Sequence, residues 1–202
     1  MNEHQVAIGE TTFTGREELK DPKAVVDYGS LMFIALERAK TAREAIKGMT
    51  DLVAEYGYAS TGESFSIADP NEAWIMDLIS KGPDEKGAVW VARRVPDGYI
   101  SAHANQARIR QFPRNDPGTL YAPDVVSFAR KKGYFTGEDK DFSFVDAYGP
   151  ADFGALRFCE SRVWSVFRRA APSAKLDFEY VKGPPKAEPL PLWLKPARKL
   201  AV

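Results

Sequence analysis

Apolar positions early in the chain recur at helical spacing. Val25, Tyr28, Met32 and Leu36 fall three or four residues apart, which predicts a helix running to about Arg38. Asp21 and Pro22 supply its start signal, an acidic cap followed by a residue whose φ suits a first turn. Ala42, Ile46, Met49, Val53 and Tyr56 form a second stripe. Thr41 and Glu44 open it as a capping box, and Gly57 ends it. The short connection predicts an antiparallel helix pair in one layer. Ahead of this pair, residues 5–13 read as a strand, with Thr11, Thr12 and Phe13 as β-formers.

Past Gly62 the period changes to two. Residues 64–68, 73–79, 88–94 and 99–102 read as successive strands, and 106–112 as a further one. Asp69, Pro70 and Asn71, then Gly82, Pro83 and Asp84, then Pro96, Asp97 and Gly98 mark the turns. Trp74, Ile75 and Trp90 supply the buried face of this antiparallel meander. Residues 123–132 predict a short helix ending at Gly133, and 134–151 a loop rich in aromatics. Phe153, Leu156, Val163 and Phe167 mark a last helix. Strands and helices arrive in blocks, so the class is α+β, not a parallel βαβ alternation. Pro184, Pro185, Pro189, Pro191 and Pro196 exclude regular helix or central strand from the tail. The chain therefore divides into a domain over 1–182 and an extended crossing segment or linker over 183–202, with Trp193 and Leu194 as its anchors.

Composition narrows the partners. Of the 202 residues, 44% are hydrophobic and 12% aromatic, enough to bury a core. Lys and Arg number 28, as do Asp and Glu, so the formal net charge is zero. No excess of positive charge is available to neutralise phosphates or grip an anionic membrane surface, so neither nucleic acid nor membrane is an expected partner. The longest apolar run, residues 31–36, falls far short of the roughly 18 apolar residues of a membrane span. The opening residues MNEHQVAIGETTF have no basic region followed by an apolar one, so they do not read as a signal peptide. The compartment stays open. One cysteine excludes an internal disulfide, and with only two histidines it argues against a zinc site. No metal or cofactor is expected.

Candidate chemistry is sparse. Cys159 falls on a predicted helix with neither His4 nor His103 nearby in sequence, so it reads as a small buried hydrophobe. Ser101 and His103 would share one face of a strand, but their spacing leaves little room for a triad, and a polar strand face is the favoured reading. Residues 60–64 lack the lysine of a phosphate loop, so Gly57 and Gly62 serve a turn. Asn2 and Asn105 are uncharged amides at predicted strand ends. Such an amide can donate to a developing oxyanion, or it can cap the strand end. Arg108, Arg157 and Arg162 could clamp a carboxylate through paired N–H groups. Taken alone, these residues favour capping and surface pairing.

Four segments change that balance. MNEHQVAIGETTF, GESFSIADPNEAWIMDLISKGP, GAVWVARRVPDGYISAHANQARI and CESRVWSVFRRAAPS resemble the cysteine-type dipeptidases of the N-terminal-nucleophile hydrolases. That family is related to secernins and more distantly to bile-salt and penicillin-V acylases, and the resemblance runs over essentially all 202 residues. It implies a four-layer αββα sandwich of two antiparallel sheets between helices, and hydrolysis of the peptide bond of small peptides. The nucleophile it implies is a cysteine at the mature N-terminus whose own amino group acts as base. Asn2 resembles the oxyanion-hole asparagine. Asn105, in the run from His103 to Gln106, resembles the second active-site asparagine. Arg162, between Ser161 and Val163, resembles the acylase arginine, with Arg157 as a competing choice. Neither Met1 nor Asn2 is a nucleophile, so the resemblance implies an internal fragment, incomplete at both ends, inactive alone, with its catalytic cysteine upstream. Cys159 is not its substitute. The partners implied are a small peptide substrate and either a second copy or the missing N-terminal segment. The alternative is a non-catalytic binding or scaffold domain that retains the fold.

Overall fold

A computed structural model describes residues 1–182 and 188–199. β1 (Ala7–Thr12) is followed by α1 (Tyr28–Arg38) and α2 (Ala42–Tyr56). Then come β2 (Glu63–Ala68), β3 (Ala73–Ser80) and β4 (Ala88–Arg94). β5 (Ile100–Ser101) and β6 (Thr119–Tyr121) are short. α3 (Val125–Lys131), α4 (Phe144–Tyr148), α5 (Ser161–Ala170), α6 (Glu179–Lys182) and β7 (Trp193–Leu194) complete the order. One antiparallel sheet runs β1-β2-β3-β4-β6, and β5 pairs with β7 in a separate ribbon. The class is α+β, as the block order of the elements predicts.

The sheet is buried on both faces. Alternate side chains of a strand point to opposite sides. Phe65, Ile67, Trp74, Met76 and Leu78 meet Leu31, Ile46, Met49 and Val53 of the helix pair. Ile75, Ile79, Val89 and Val91 meet a second core built from α3, α4 and the segment between them. Phe144 and Tyr148 of α4 lie 4.9 Å apart, centre to centre, in that core, and the Tyr148 hydroxyl donates to the Val125 carbonyl at 2.5 Å. β3 lies between both cores, so it is buried from Trp74 to Ser80 and turns neither face to solvent.

Three expectations are corrected. α1 begins at Tyr28, not at Pro22, and Asp27 caps it by accepting from the Ser30 amide at 2.6 Å. The preceding residues are drawn into an extended path instead. Val25 N donates to Tyr56 O at 3.2 Å, and Ala59 N to Val26 O at 2.9 Å, so their backbone groups are already engaged. Residues 106–112 form no strand. The amides of Arg108 and Ile109 both donate to one carboxylate oxygen of Asp77, at 2.9 Å each. The carbonyls of Ile109 and Arg110 accept from Val145 and Phe144 at the start of α4. The 134–151 loop contains α4 itself. The last helix carries a π-helical stretch at Ala155–Glu160 before α5.

Part of the proline-rich tail, residues 183–187 and 200–202, lies outside the described residues. Between them, Trp193 pairs with Ser101 and Leu194 with Ile100.

Candidate functional site

The antiparallel register sets Thr11 opposite Ser64, Gly9 opposite Ser66, and Ser64 opposite Asp77. Directly paired residues share a face. A polar stripe therefore crosses the sheet on the side away from the helix pair. Asp77 is fully buried and accepts from the Ser64 hydroxyl at 2.6 Å besides the two amides above. Burial raises its carboxyl above the ordinary range, and the hydrogen bonds from Ser64, Ile109 and Arg108 work against that rise.

His103 lies over the same stripe. Its Nδ1 is 2.6 Å from the Thr11 hydroxyl and its Nε2 is 2.7 Å from the Ser66 hydroxyl. Burial, reinforced by the nearby Arg108 charge, pulls its pKa down to about 4. The ring is neutral at pH 7, with one nitrogen donating and the other accepting. Ser101 does not join it, because its hydroxyl donates to Leu192 O at 2.6 Å. Thr11 and Ser66 stand 92 and 37 residues from His103 in sequence, so no local spacing announces them.

Asp77 and Arg108 together anchor the turn that carries Asn105. Arg108 Nε lies 3.0 Å from Glu160, and the side chains of both are nearly sealed, at 2% and 4% exposure. Its remaining N–H groups donate to the carbonyls of Ala102, Leu190 and Pro191 at 3.0 to 3.2 Å. Three distant stretches of chain thus meet at one guanidinium. Asn105 takes a left-handed conformation, φ 56°, which short polar side chains tolerate best after glycine. Its amide donates to Thr12 O at 2.8 Å, and its side-chain oxygen accepts from Arg162 Nη2 at 2.9 Å. Arg162 also donates to Phe158 O at 2.8 Å and Ala104 O at 3.1 Å.

Asn105 borders a cavity of about 400 Å³, together with Thr14, Gln106, Asp152, Phe158 and Cys159. One N–H of the Asn105 amide remains after the bond to Thr12. The larger cleft, about 530 Å³ around Gln111, Arg114 and Asp139, contains none of the candidate residues.

The structure joins Asn105 to Arg162 and leaves Asn2 elsewhere. Asn2 Nδ2 donates to both Leu36 O and Ala39 O, at 2.8 and 2.7 Å, which uses both of its amide hydrogens. Its oxygen accepts from the amides of His4 and Val6. It secures the end of α1, across the length of β1 from Asn105, about 20 Å for six residues. Arg157 is exposed, and the arginine that reaches Asn105 is Arg162. Cys159 lines the cavity half-buried, but no imidazole does: His103 holds Thr11 and Ser66, and His4 is paired with Glu3 at 3.8 Å. Among the described residues no cluster of side chains suits a metal ion.

Comparison with known proteins shows the family. The model of peptidase family C69 matches residues 1–202. The chain belongs to peptidase family C69. A probable dipeptidase of Salmonella dublin is 30% identical over 200 residues, covering 96% of this chain and 43% of the relative. A probable dipeptidase of Latilactobacillus sakei is 27% identical over 207 residues, covering all of this chain and 41% of the relative. This C69 chain therefore spans less than half the length of the curated relatives it matches.

One further carboxyl of the C69 chain titrates out of range. Glu63 is fully buried. Its Oε2 accepts from Thr12 at 3.1 Å, and its Oε1 has no partner. Burial, and then the neighbouring Glu10, raise its pKa from 4.5 to about 9. Between those values the folded chain holds a proton that the unfolded chain has lost, so stability falls as pH rises. His103 acts oppositely. Its contribution is complete above the unfolded value of 6.5 and is lost as pH falls toward about 4. The two largely offset each other where the windows overlap, and above 6.5 the Glu63 slope remains, with Asp77, also raised by burial, acting in the same sense. Thermal melts should show a Tm that declines from pH 6.5 toward 9, and a flatter profile for Glu63→Gln. Parallel declines in both proteins would mean that Glu63 is already ionised.

Proposed function

We propose that this chain forms part of a dipeptidase that hydrolyses the peptide bond of small peptides through an N-terminal cysteine contributed from outside these 202 residues. The observation that carries the reading is the Asn105–Arg162 pair at a cavity, in a chain that matches family C69 from end to end. The names of the relatives, probable dipeptidases, support the reaction class. In this reading the free N–H of Asn105 donates to the peptide or to the cysteine's amine. Arg162 holds Asn105 in its left-handed conformation and keeps the turn at residues 104–105 against Phe158. The four-layer αββα sandwich is completed by a second sheet, whose strands are likewise supplied from beyond this chain. Asn2, with both amide hydrogens engaged, serves the scaffold.

The test compares this chain with a longer protein that includes the upstream coding sequence, against a panel of dipeptides. The 202-residue chain is expected to show no turnover. The longer protein is expected to hydrolyse dipeptides, and Arg162→Ala in it to lower kcat/KM by about 100-fold through misplacement of Asn105. Turnover by the short chain that is abolished by Cys159→Ala would overturn the proposal. A longer protein that folds, binds peptides and never cleaves them would support a scaffold domain instead.

A further inference from the structure

A second cavity, about 400 Å³, opens where the C-terminal end of β4 meets the tail. Arg43, Arg93, Arg94, Asp116, Gly118 and Trp193 line it. Two of its three arginines are paired with acids. Arg43 Nε lies 3.0 Å from Glu72, its Nη2 donates to Pro117 O at 3.2 Å, and it stacks on Trp74. Arg94 shares the same Glu72 at 3.3 Å and donates to Asp97 at 2.7 Å.

Arg93 differs from both. It projects from the opposite face of β4, as its neighbouring position requires. Its guanidinium lies 5.0 Å from the centre of the Trp193 ring. Its Nε is enclosed and has no hydrogen-bond partner, and among the described residues none of its N–H groups meets an acceptor. Asp116 is the acid nearest in effect, but its two oxygens already accept from Gly118 N and the Thr119 hydroxyl, at 3.1 and 3.2 Å. Burial draws the Arg93 pKa down and Asp116 opposes it, so the charge lacks a close counter-ion. An enclosed donor without an acceptor, as at this Nε, is rare in folded proteins because the lost hydration is not replaced.

We propose that this cavity is a carboxylate-binding site, with Arg93 as the paired donor and Trp193 as the platform that orients it. A planar guanidinium with one face against Trp193 and its two terminal Nη groups unpaired matches the two oxygens of a carboxylate. A dianion such as phosphate fits less well. Arg43 and Arg94 are committed to Glu72 and Asp97, so no second cation is free to answer the second charge, and Asp116 repels it. The platform comes from β7, so the site exists only with the tail docked. The carboxylate belongs either to a small organic acid or to the C-terminus of a polypeptide.

The experiment follows the Trp193 indole N–H and the arginine Nε–H signals of the intact protein by NMR. Sodium acetate, a short peptide with a free C-terminus, and its C-terminal amide are titrated at constant ionic strength held with sodium chloride. Acetate should shift the Trp193 and Arg93 signals in a saturable way, with a dissociation constant on the order of millimolar, as suits one charge-assisted pair open to water. The free-acid peptide should bind and the amide should not. Tighter binding by the peptide than by acetate assigns the site to polypeptide C-termini, and equal binding assigns it to small acids. Arg93→Met should weaken acetate binding by about tenfold or more, whereas Arg157→Met should not. Because Arg93 has no internal acceptor, Arg93→Met should also leave Tm unchanged or raise it. No saturable shift with acetate or peptide, or a Tm that falls in Arg93→Met, would overturn the site.

Discussion

Arg108→Ala is expected to destabilise the chain by about 3–5 kcal/mol, the usual cost of removing one partner of a sealed ion pair. Both side chains of the Arg108–Glu160 pair are almost entirely buried, so solvent screening does little to reduce that figure. The alanine variant leaves the Glu160 carboxylate without its partner in a dry site. It also strips donors from the carbonyls of Ala102, Leu190 and Pro191. For a chain of this size the loss corresponds to a Tm lower by roughly 10 °C. Urea unfolding and thermal melts measure it. Arg108→Lys keeps the charge but not the fork, so it should recover only part of the loss. The double variant Arg108→Met with Glu160→Met removes the charge problem and should recover more than Arg108→Ala alone. Residues 188–192 should become protease-sensitive in every variant that lacks the fork, because Arg108 is what ties their carbonyls to the domain. An Arg108→Ala protein with unchanged stability and a protected tail would remove Arg108 from this role.

Asp77→Ala is expected to cost a similar amount, about 3–5 kcal/mol, by a different route. Its carboxylate is the acceptor for three donors, the Ser64 hydroxyl and the amides of Arg108 and Ile109. Each buried donor left unpaired costs on the order of 1–3 kcal/mol. Asp77→Asn should recover much of the loss, since its side-chain oxygen can accept both amides and its NH2 can donate to the Ser64 hydroxyl, which turns to accept. Amide hydrogen exchange adds a local readout. The amides of Arg108 and Ile109 should lose protection in Asp77→Ala before the β2–β3 ladder does. The Asn105–Arg162 contact lies three residues away along the same turn, so its geometry should loosen as well. If exchange at Arg108 and Ile109 stays slow, Asp77 is not what holds the turn.

These two residues mark where sequence reasoning stops. The second helix was readable because its signal is local: the stripe from Ala42 to Tyr56, the Thr41 cap that accepts from Glu44 N at 3.2 Å, and Gly57 at its end. The meander was readable for the same reason, since alternation and turn residues repeat within a dozen positions. Residues 106–112 carry an equally good strand pattern, yet Asp77 and the start of α4 engage their backbone groups first. The start of α1 failed similarly. Asp21 and Pro22 are a sound helix signal, but Asp21 accepts instead from Lys23 N at 2.9 Å in a turn.

The candidate site divides along the same line. Residue types and the family resemblance nominated Asn2, Asn105 and Arg162 together, with Arg157 as a rival. Only tertiary contacts separate them: Arg162 meets Asn105 across 57 residues, and Asn2 meets the end of α1 across 34 and 37. A long-range partner leaves no periodic trace in the chain, and neither does a half-buried guanidinium with an unpartnered Nε such as Arg93. The sequence by itself determined the α+β order, the helix pair and the strands of the central meander, because burial periodicity and turn chemistry act between near neighbours. The tertiary structure alone decided which amide remained free to donate, which arginine reached it and which backbone groups an Asp could take from a strand. Those outcomes depend on competition among hydrogen-bond partners that the chain brings together only when it folds.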